Sequence, residues 1–318
     1  MIIADYKPGD EIAILELFKA SFNKDLSLDF WNWRFRDNPV RKFMIKLMWD
    51  NDVLAGHYAV CPTQMMIEGN SVLTSLSMTT MTHPNYAGRG IFSKLAEELY
   101  HDIHNEFGVA AVWGFPNTNS HYGFIKNLAW RDLAVIPTLS MKTSRFKGGG
   151  KMSISHINDF DEKHVNGFRE VTSGFSVKTD RSLAYLKWRF IQNPVNVYDV
   201  FELEDAGSSY YAVTKKFKSF SESGSYEVDI LETSFPAESG AVGSLVATIL
   251  DHYRSFNISK INLWLPLTDP RHIHFEKNGF SYEPPLTYLG IRAFDAALKP
   301  KVDDFRNWFF AMSDSDVF

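Results

Sequence analysis

The chain reads as an α/β (α+β) protein made of two tandem copies of one domain, and three observations point there. The first is an internal repeat. Residues 28–40 carry Trp33-Arg34-Phe35, two residues, then Asn38-Pro39-Val40, and residues 183–195 carry Trp188-Arg189-Phe190, two residues, then Asn193-Pro194-Val195. The second is a weaker echo downstream. Tyr58-Ala59-Val60 matches Tyr211-Ala212-Val213, and Phe124, Lys126 and Asn127 match Phe275, Lys277 and Asn278. The third is that strand-period and helix-period segments follow one another in the same order in both halves. A length of 318 residues suits two domains of about 150 residues each. The seam falls at the glycine run Gly148-Gly149-Gly150. The expected division is therefore 1–145, a flexible linker at 146–151, and 152–318.

In the first copy, Pro8-Gly9-Asp10 offers a helix cap, and Ile12, Leu15, Phe18 and Phe22 form an apolar stripe behind it. Residues 28–35 predict a short helix stopped ahead of Pro39. Residues 43–49 and 53–60 predict strands joined by Asp50-Asn51-Asp52, and Glu68-Gly69-Asn70 turns the chain into a strand over 73–81. A glycine loop follows, then a helix over 91–104. That helix has Phe92, Leu95, Leu99 and Ile103 on one face and Glu97, Glu98 and Asp102 outward. A strand over 109–115, a short helix over 119–127 and a closing strand over 133–141 complete the copy. In the second copy, residues 198–203, 210–217 and 226–231 predict strands, 242–253 a helix, 261–265 a strand, 271–277 a helical turn and 288–291 a strand. Residues 303–312 predict a last amphipathic helix.

Composition narrows the classes. A net charge of -5 argues against nonspecific nucleic-acid binding, and no apolar run reaches the length that crosses a bilayer. The N-terminus lacks a basic flank and a long apolar stretch, so it does not read as a secretory signal. The one cysteine, Cys61, permits no internal disulfide and suits a reducing cytoplasm, where it reads as a small buried residue. The 26 phenylalanines point to aromatic packing and are compatible with a homodimer. No Cys/His cluster has metal-ligand spacing, so no metal is expected. Glu227, Asp229 and Glu232 alternate along a strand, which a solvated edge explains as well as a metal does.

Thr82-His83-Pro84-Asn85-Tyr86-Ala87-Gly88-Arg89-Gly90-Ile91 is the stretch that carries chemistry. A strand, a glycine turn and a helix aim free backbone N–H groups at an anion, and glycines at 88 and 90 leave the backbone bare. With the strand over 109–115 and Lys126-Asn127-Leu128-Ala129-Trp130 after it, this order resembles the GNAT family of acyl-CoA-dependent N-acyltransferases, most closely over 73–141. The resemblance implies two GNAT-like domains, each a mixed, mostly antiparallel sheet flanked by helices. It implies acetyl-CoA, or a close acyl-CoA, as acyl donor. Met81, Thr82, Asn85, Ala87, Gly88, Arg89, Gly90, Ile91 and Asn117 would bind it. Loop amides would hold the pyrophosphate, and strand backbone near Thr80, Met81 and Thr82 would pair with the pantetheine arm. Arg89 and Lys94 are either partners of the nucleotide's 3'-phosphate or solvated charges. Asn85 stands where the family has Gln or Arg.

Acyl transfer to an amine needs a proton acceptor, a polarised carbonyl and a protonated leaving thiolate. The family often places a tyrosine on the short helix; that slot falls on Phe124 or Ile125 here, so Tyr122, one turn back, is the substitute acid. His57 and His121 are candidate bases, and the terminal carboxylate at Phe318 is a fainter one. In the second copy Pro236-Ala237-Glu238-Ser239-Gly240 replaces the glycine loop, and Glu238 would repel phosphate. The second copy thus reads as degenerate, and Trp33/Trp188, Arg34/Arg189 and Asn38/Asn193 read as scaffold. The expected activity is direct transfer of an acetyl or short acyl group to a primary amine on a small molecule or peptide, with no nucleic-acid or membrane partner. The alternative is a non-catalytic acyl-CoA sensor or scaffold.

Overall fold

Strand-forming residues at 45–82, broken by turns at Asn51-Asp52 and Glu68-Gly69, build the longest pairing among the described residues. In the computed structural model, which describes residues 1–118, 120–205 and 207–318 (backbone only at 284–286), this is a three-strand meander. β1 (Ile2–Asp5) precedes α1 (Glu11–Phe22) and α2 (Leu28–Trp31). β2 (Ile45–Asp50), β3 (Val53–Ile67) and β4 (Asn70–Thr82) follow, then α3 (Ile91–Phe107), β5 (Ala111–Gly114), α4 (His121–Leu128) and β6 (Arg131–Lys142). Asn119, where the sequence places the start of α4, lies outside the described residues.

The second half runs β7 (Ile154–Ile157), α5 (Glu162–Val171), β8 (Val177–Thr179), α6 (Leu183–Leu186), β9 (Asp199–Asp205), β10 (Ser208–Lys218) and β11 (Tyr226–Thr233). α7 (Ser239–His252), β12 (Ile258–Trp264), α8 (His272–Lys277), β13 (Ser281–Ala293) and α9 (Lys299–Val302) complete it. Two compact units result. Unit 1 comprises 1–134 with 287–304, and unit 2 comprises 135–286 with 305–318. Within unit 1 the strand order is β1-β2-β3-β4-β5 and then the last residues of β13. Within unit 2 it is β7-β9-β10-β11-β12 and then residues 138–142 of β6. Both sheets are antiparallel except for one parallel pair, β4 with β5 and β11 with β12. The strand over 133–141 therefore pairs with β12 of unit 2 instead of closing the first copy, and residues 290–293 pair with β5 of unit 1.

Each unit has its own core. In unit 1, Ile91, Leu95, Leu99 and Ile103 of α3 pack on Met48, Tyr58 and Val60. In unit 2, Val242, Leu245, Val246 and Ile249 of α7 pack on Phe201, Val228 and Ile230. The α3 stripe follows the sequence period, but the α1 stripe does not. Ile12 and Phe22 are exposed, and Ile14 and Leu17 are buried. Apolar residues on two sides of that helix let tertiary packing choose the face.

The amphipathic helix expected at 303–312 is absent. Short turns flank residues 308–312, which are apolar on every side and buried, with Trp308 bridged to Val177. Glu227, Asp229 and Glu232 are not a solvated edge. β11 is a central strand, and all three carboxylates are buried. Asn262 donates to Glu227 and Asp229 at 3.0 and 3.1 Å, and Arg181 binds Glu232. The glycine run is not slack either. A Cβ at Gly149 would meet Gly243 at 2.5 Å, and one at Gly150 would meet the Gly240 carbonyl at 2.1 Å, so glycine here permits close approach to α7.

Candidate active site at the start of α3

β3 places the helix. A Cβ on Gly56 would lie 2.3 Å from Ile91 Cγ2, so the first residue of α3 rests directly on strand backbone. The connection from β4 is anchored at both ends. The His83 amide donates to the Ala55 carbonyl at 3.0 Å, and the Tyr86 hydroxyl donates to Asp50 at 2.9 Å. Beyond Tyr86, Gly88 and Gly90 have φ of +77° and +71°, the left-handed region that side chains disfavour. A Cβ built on either glycine meets nothing within 4 Å, so the loop faces open space. Gly90 is the N-cap of α3 and brings no side chain to close the first turn. Asn85, Ala87 and Arg89 are exposed. Arg89 folds back over the Tyr86 ring at 4.7 Å and donates to the Asn85 carbonyl at 3.3 Å. Lys94 is exposed.

β4 and β5 pair only at Ser75↔Val112 and Leu76↔Trp113, after which β4 runs on to Thr82 without that partner. The divergence coincides with a bulge. His57 faces Met81 and Ala59 faces Met78, so one residue of β3 opposes two of β4. Thr79 sits in the bulge with φ of +52°, a strained value for a β-branched residue. Its carbonyl accepts from His57 Nδ1 at 2.8 Å. That bond assigns the proton to Nδ1 and leaves Nε2, which is buried, without a hydrogen-bond partner. Burial pushes the His57 imidazole down to about 4, so it is neutral at physiological pH.

The other candidate acids and bases lie on α4. The Asn117 side chain accepts from the Ser120 amide at 3.1 Å at the entry to this helix, a structural use of the residue expected to touch cofactor. His121 Nε2 lies 2.6 Å from Asp132 Oδ1, and its ring stacks on Tyr288 with centroids 3.9 Å apart. Tyr122 is 64% exposed, and its hydroxyl accepts from Lys126. Phe124, which with Ile125 is one of the two residues that could fill the tyrosine slot, is buried against Phe92 and Trp130. Consecutive residues on a helix point about 100° apart, so His121 and Tyr122 serve different directions. Thr79, Asp132 and Tyr288 were missed in the sequence. A strand bulge leaves no period, and partners 11 residues or more away leave no local spacing.

Phe318 lies in unit 2. Its carbonyl oxygen accepts from Arg189 at 2.9 Å, and its ring packs edge-on against Trp264. A cavity of about 690 Å³ in unit 1 lies along the later turns of α3, lined by His101, His104, Arg131 and Arg292, away from the glycine loop.

The site thus combines a mixed sheet whose parallel pair splays with a glycine-flanked helix start that has no side-chain cap. A family model for the acetyltransferase (GNAT) domain matches residues 3–131, a stretch within unit 1 that is less than half of the chain. A GCN5-related N-acetyltransferase from Anabaena variabilis superposes with TM-score 0.69 at 13% identity, covering 92% of this chain and 73% of the other. A conserved protein of unknown function from Enterococcus faecalis, described as a probable N-acyltransferase, gives TM-score 0.69 at 16% identity over 92% and 72%. Eis1 from Mycobacterium abscessus gives 0.61 at 13% identity over 93% and 74%. At such identities the likeness is one of fold. No curated sequence matches the chain. No helix among the described residues is long and apolar enough to cross a membrane.

Proposed function

We propose that unit 1 binds acetyl-CoA, or a close acyl-CoA, at the start of α3 and transfers the acyl group to a primary amine in a ternary complex. The observation that carries this reading is the pair of left-handed glycines opening onto free space at an uncapped helix start. The donor supplies an activated thioester; the chain supplies binding, orientation and proton handling. Amides of Gly88, Arg89, Gly90 and Ile91 bind the diphosphate, aided by the positive helix end. The edge of β4 near Met81 and Thr82, freed from β5 after Leu76, offers backbone to an extended arm. Cys61 is 2% exposed and accepts from Asn38 at 3.1 Å, which disfavours a covalent acyl-cysteine and favours direct attack. For proton transfer, the His121–Asp132 pair has the geometry of an oriented base, and Tyr122 is the candidate acid. Buried, neutral His57 suits a role in holding the bulge.

The test is a thermal shift with acetyl-CoA. At about 100 times its Kd, ligand adds roughly 2.7 kcal/mol. Gly88→Val with Gly90→Val abolishes the shift, whereas Gly240→Val leaves it intact. Thiol release across a panel of amines then reads transfer, and His121→Ala lowers kcat with little change in KM for acetyl-CoA. An unshifted midpoint with every acyl-CoA tried would sink the proposal.

A further inference from the structure

Three side chains that are far apart in sequence converge in unit 2. His156 stands on edge strand β7, Asp199 opens β9, and His252 ends α7. Asp199 Oδ1 lies 3.1 Å from His156 Nε2 and 3.2 Å from His252 Nε2. The ligand atoms of the three residues all fall within 4.8 Å of one another. The two imidazoles stack, 5.0 Å apart and inclined by 13°, so the same nitrogen of each ring turns to the same oxygen.

We propose that His156, Asp199 and His252 form a binding site for a divalent transition cation, with zinc the best fit. Two imidazole nitrogens and one carboxylate oxygen are a zinc-type donor set, whereas magnesium and calcium favour all-oxygen sets. Metal–ligand bonds of about 2.0–2.2 Å at tetrahedral angles separate ligands by about 3.3 Å. The two measured separations, 3.1 and 3.2 Å, need little movement to reach that value.

The surroundings orient the donors as supports around a metal do. The Tyr253 hydroxyl donates to Asp199 Oδ2, leaving Oδ1 to the imidazoles, and also lies 3.0 Å from Thr214 Oγ1. The Phe201 ring meets His156 and His252 at 75° and 88°, which limits rotation of both rings. The nearby cation is Lys216, whose ammonium is drawn over the Phe256 ring. His156, Asp199 and His252 side chains are 37%, 26% and 32% exposed, so a fourth position is open to water or to an incoming ligand. The site ties β7 and the end of α7 to β9. It rests on unit 2 alone and is independent of the function proposed for unit 1.

The test is isothermal titration of zinc chloride into the full-length protein stripped with chelator, with magnesium chloride as control. The expected result is saturation at one zinc per chain and no magnesium heat. Affinity falls more than about 100-fold in the His156→Ala/His252→Ala double variant, and about 10-fold or more in Tyr253→Phe. Cobalt substitution gives the visible absorption of a four- or five-coordinate site. Both imidazoles are partly exposed, so the variants fold, and their melting midpoints in chelator check this. Absent zinc binding, equal binding by the double variant, or equal affinity for magnesium would each overturn the proposal; any of these would leave two histidines merely hydrogen-bonded to Asp199.

Discussion

Units 1 and 2 follow the same path down to a local irregularity, yet they differ at the one place where chemistry is expected. In both, a serine caps a short helix, Ser27 accepting from Phe30 and Ser182 from Tyr185. Both helices then widen into a turn closed by an i→i+5 bond, Asp37 to Asn32 and Gln192 to Lys187, each 2.9 Å. In both, an asparagine side chain accepts from the amide two residues on, Asn38 from Val40 and Asn193 from Val195. The repeated Trp-Arg-Phe…Asn-Pro-Val is thus scaffold, and its arginines pack among rings: Arg34 lies over Trp33 at 4.6 Å, and Arg189 over Phe190 at 5.5 Å. At the fourth and fifth strands the units part. β4 and β5 pair over two positions and diverge, whereas β11 and β12 pair over five. α3 starts at bare Gly90; α7 starts at Glu238, with Gly149 and Gly150 packed on its first turns. The frame is common to both units, and the glycine-flanked helix start is found only in unit 1 among the described residues.

The polar interiors differ as well, and breaking them separates the units most strongly. In unit 2, Arg181 is buried between Glu232, reached by Nε at 2.7 Å, and Asp314 at 2.8 Å. Unit 1 answers at the matching tyrosine with a neutral chain, Ser77, Tyr58, Tyr100 and Trp130. Arg181→Met strands two buried carboxylates and should cost about 3–5 kcal/mol in urea denaturation. Adding Glu232→Gln to it should recover part of the loss. A cost below about 1 kcal/mol for the single change would mean that the ionic network is not a determinant of unit 2.

pH should move the two units in opposite directions. Folded His57 takes a proton only near 4, against 6.5 for the free group, because burial opposes its charge. Between those values the unfolded chain binds more protons. This group's contribution is therefore present above about pH 6.5 and is lost toward pH 4, on the order of 3 kcal/mol in all. Asp229 is the reverse. Burial raises its carboxyl from 3.8 to about 7, with Glu227 adding repulsion, so the folded state holds the extra proton. Stability from this group is full below about pH 4 and falls by up to about 4 kcal/mol as pH rises through 7. Asp229→Asn should stabilise the protein at pH 8 and do little at pH 4; His57→Asn should flatten the acid limb. Midpoints of urea curves across that range check both, and parallel pH profiles for wild type and variants would refute the assignment.

How far the chain was legible follows from which forces are local. The repeat, the β3–β4 hairpin and the face of α3 were readable because a turn, a period of two or a period of 3.6 writes them into adjacent residues. Gly88 and Gly90 were readable because only glycine accepts those φ values at little cost. The membership of the closing strands was not readable, since β6 and β13 carry strand patterns that fit either sheet. Nor was the bulge at Thr79, which strand register imposes on a residue with no preference for it. The partners Asp132 of His121 and Asp199 of His156 come from other elements, 11 and 43 residues away. The family domain match ends at residue 131, and the structure supplies what lies beyond it.

The smallest expected effect isolates a single hydroxyl in each unit. Tyr58 and Tyr211 occupy matching places in β3 and β10, and both are fully buried. The Tyr58 hydroxyl meets Tyr100 at 2.6 Å and Ser77 at 3.2 Å, so Tyr58→Phe removes neutral hydrogen bonds; Tyr100 still has the Trp130 donor at 3.1 Å. The Tyr211 hydroxyl donates to the Glu232 carboxylate, so Tyr211→Phe removes a charge-assisted bond from a group that cannot reach water. Neutral bonds contribute about 1 kcal/mol and bonds to charged groups about 1.5–3 kcal/mol. Tyr211→Phe should therefore destabilise the protein roughly twice as much as Tyr58→Phe. Equal losses would indicate that Arg181 and Ser313 alone satisfy Glu232, leaving the tyrosine to act through its ring in both units.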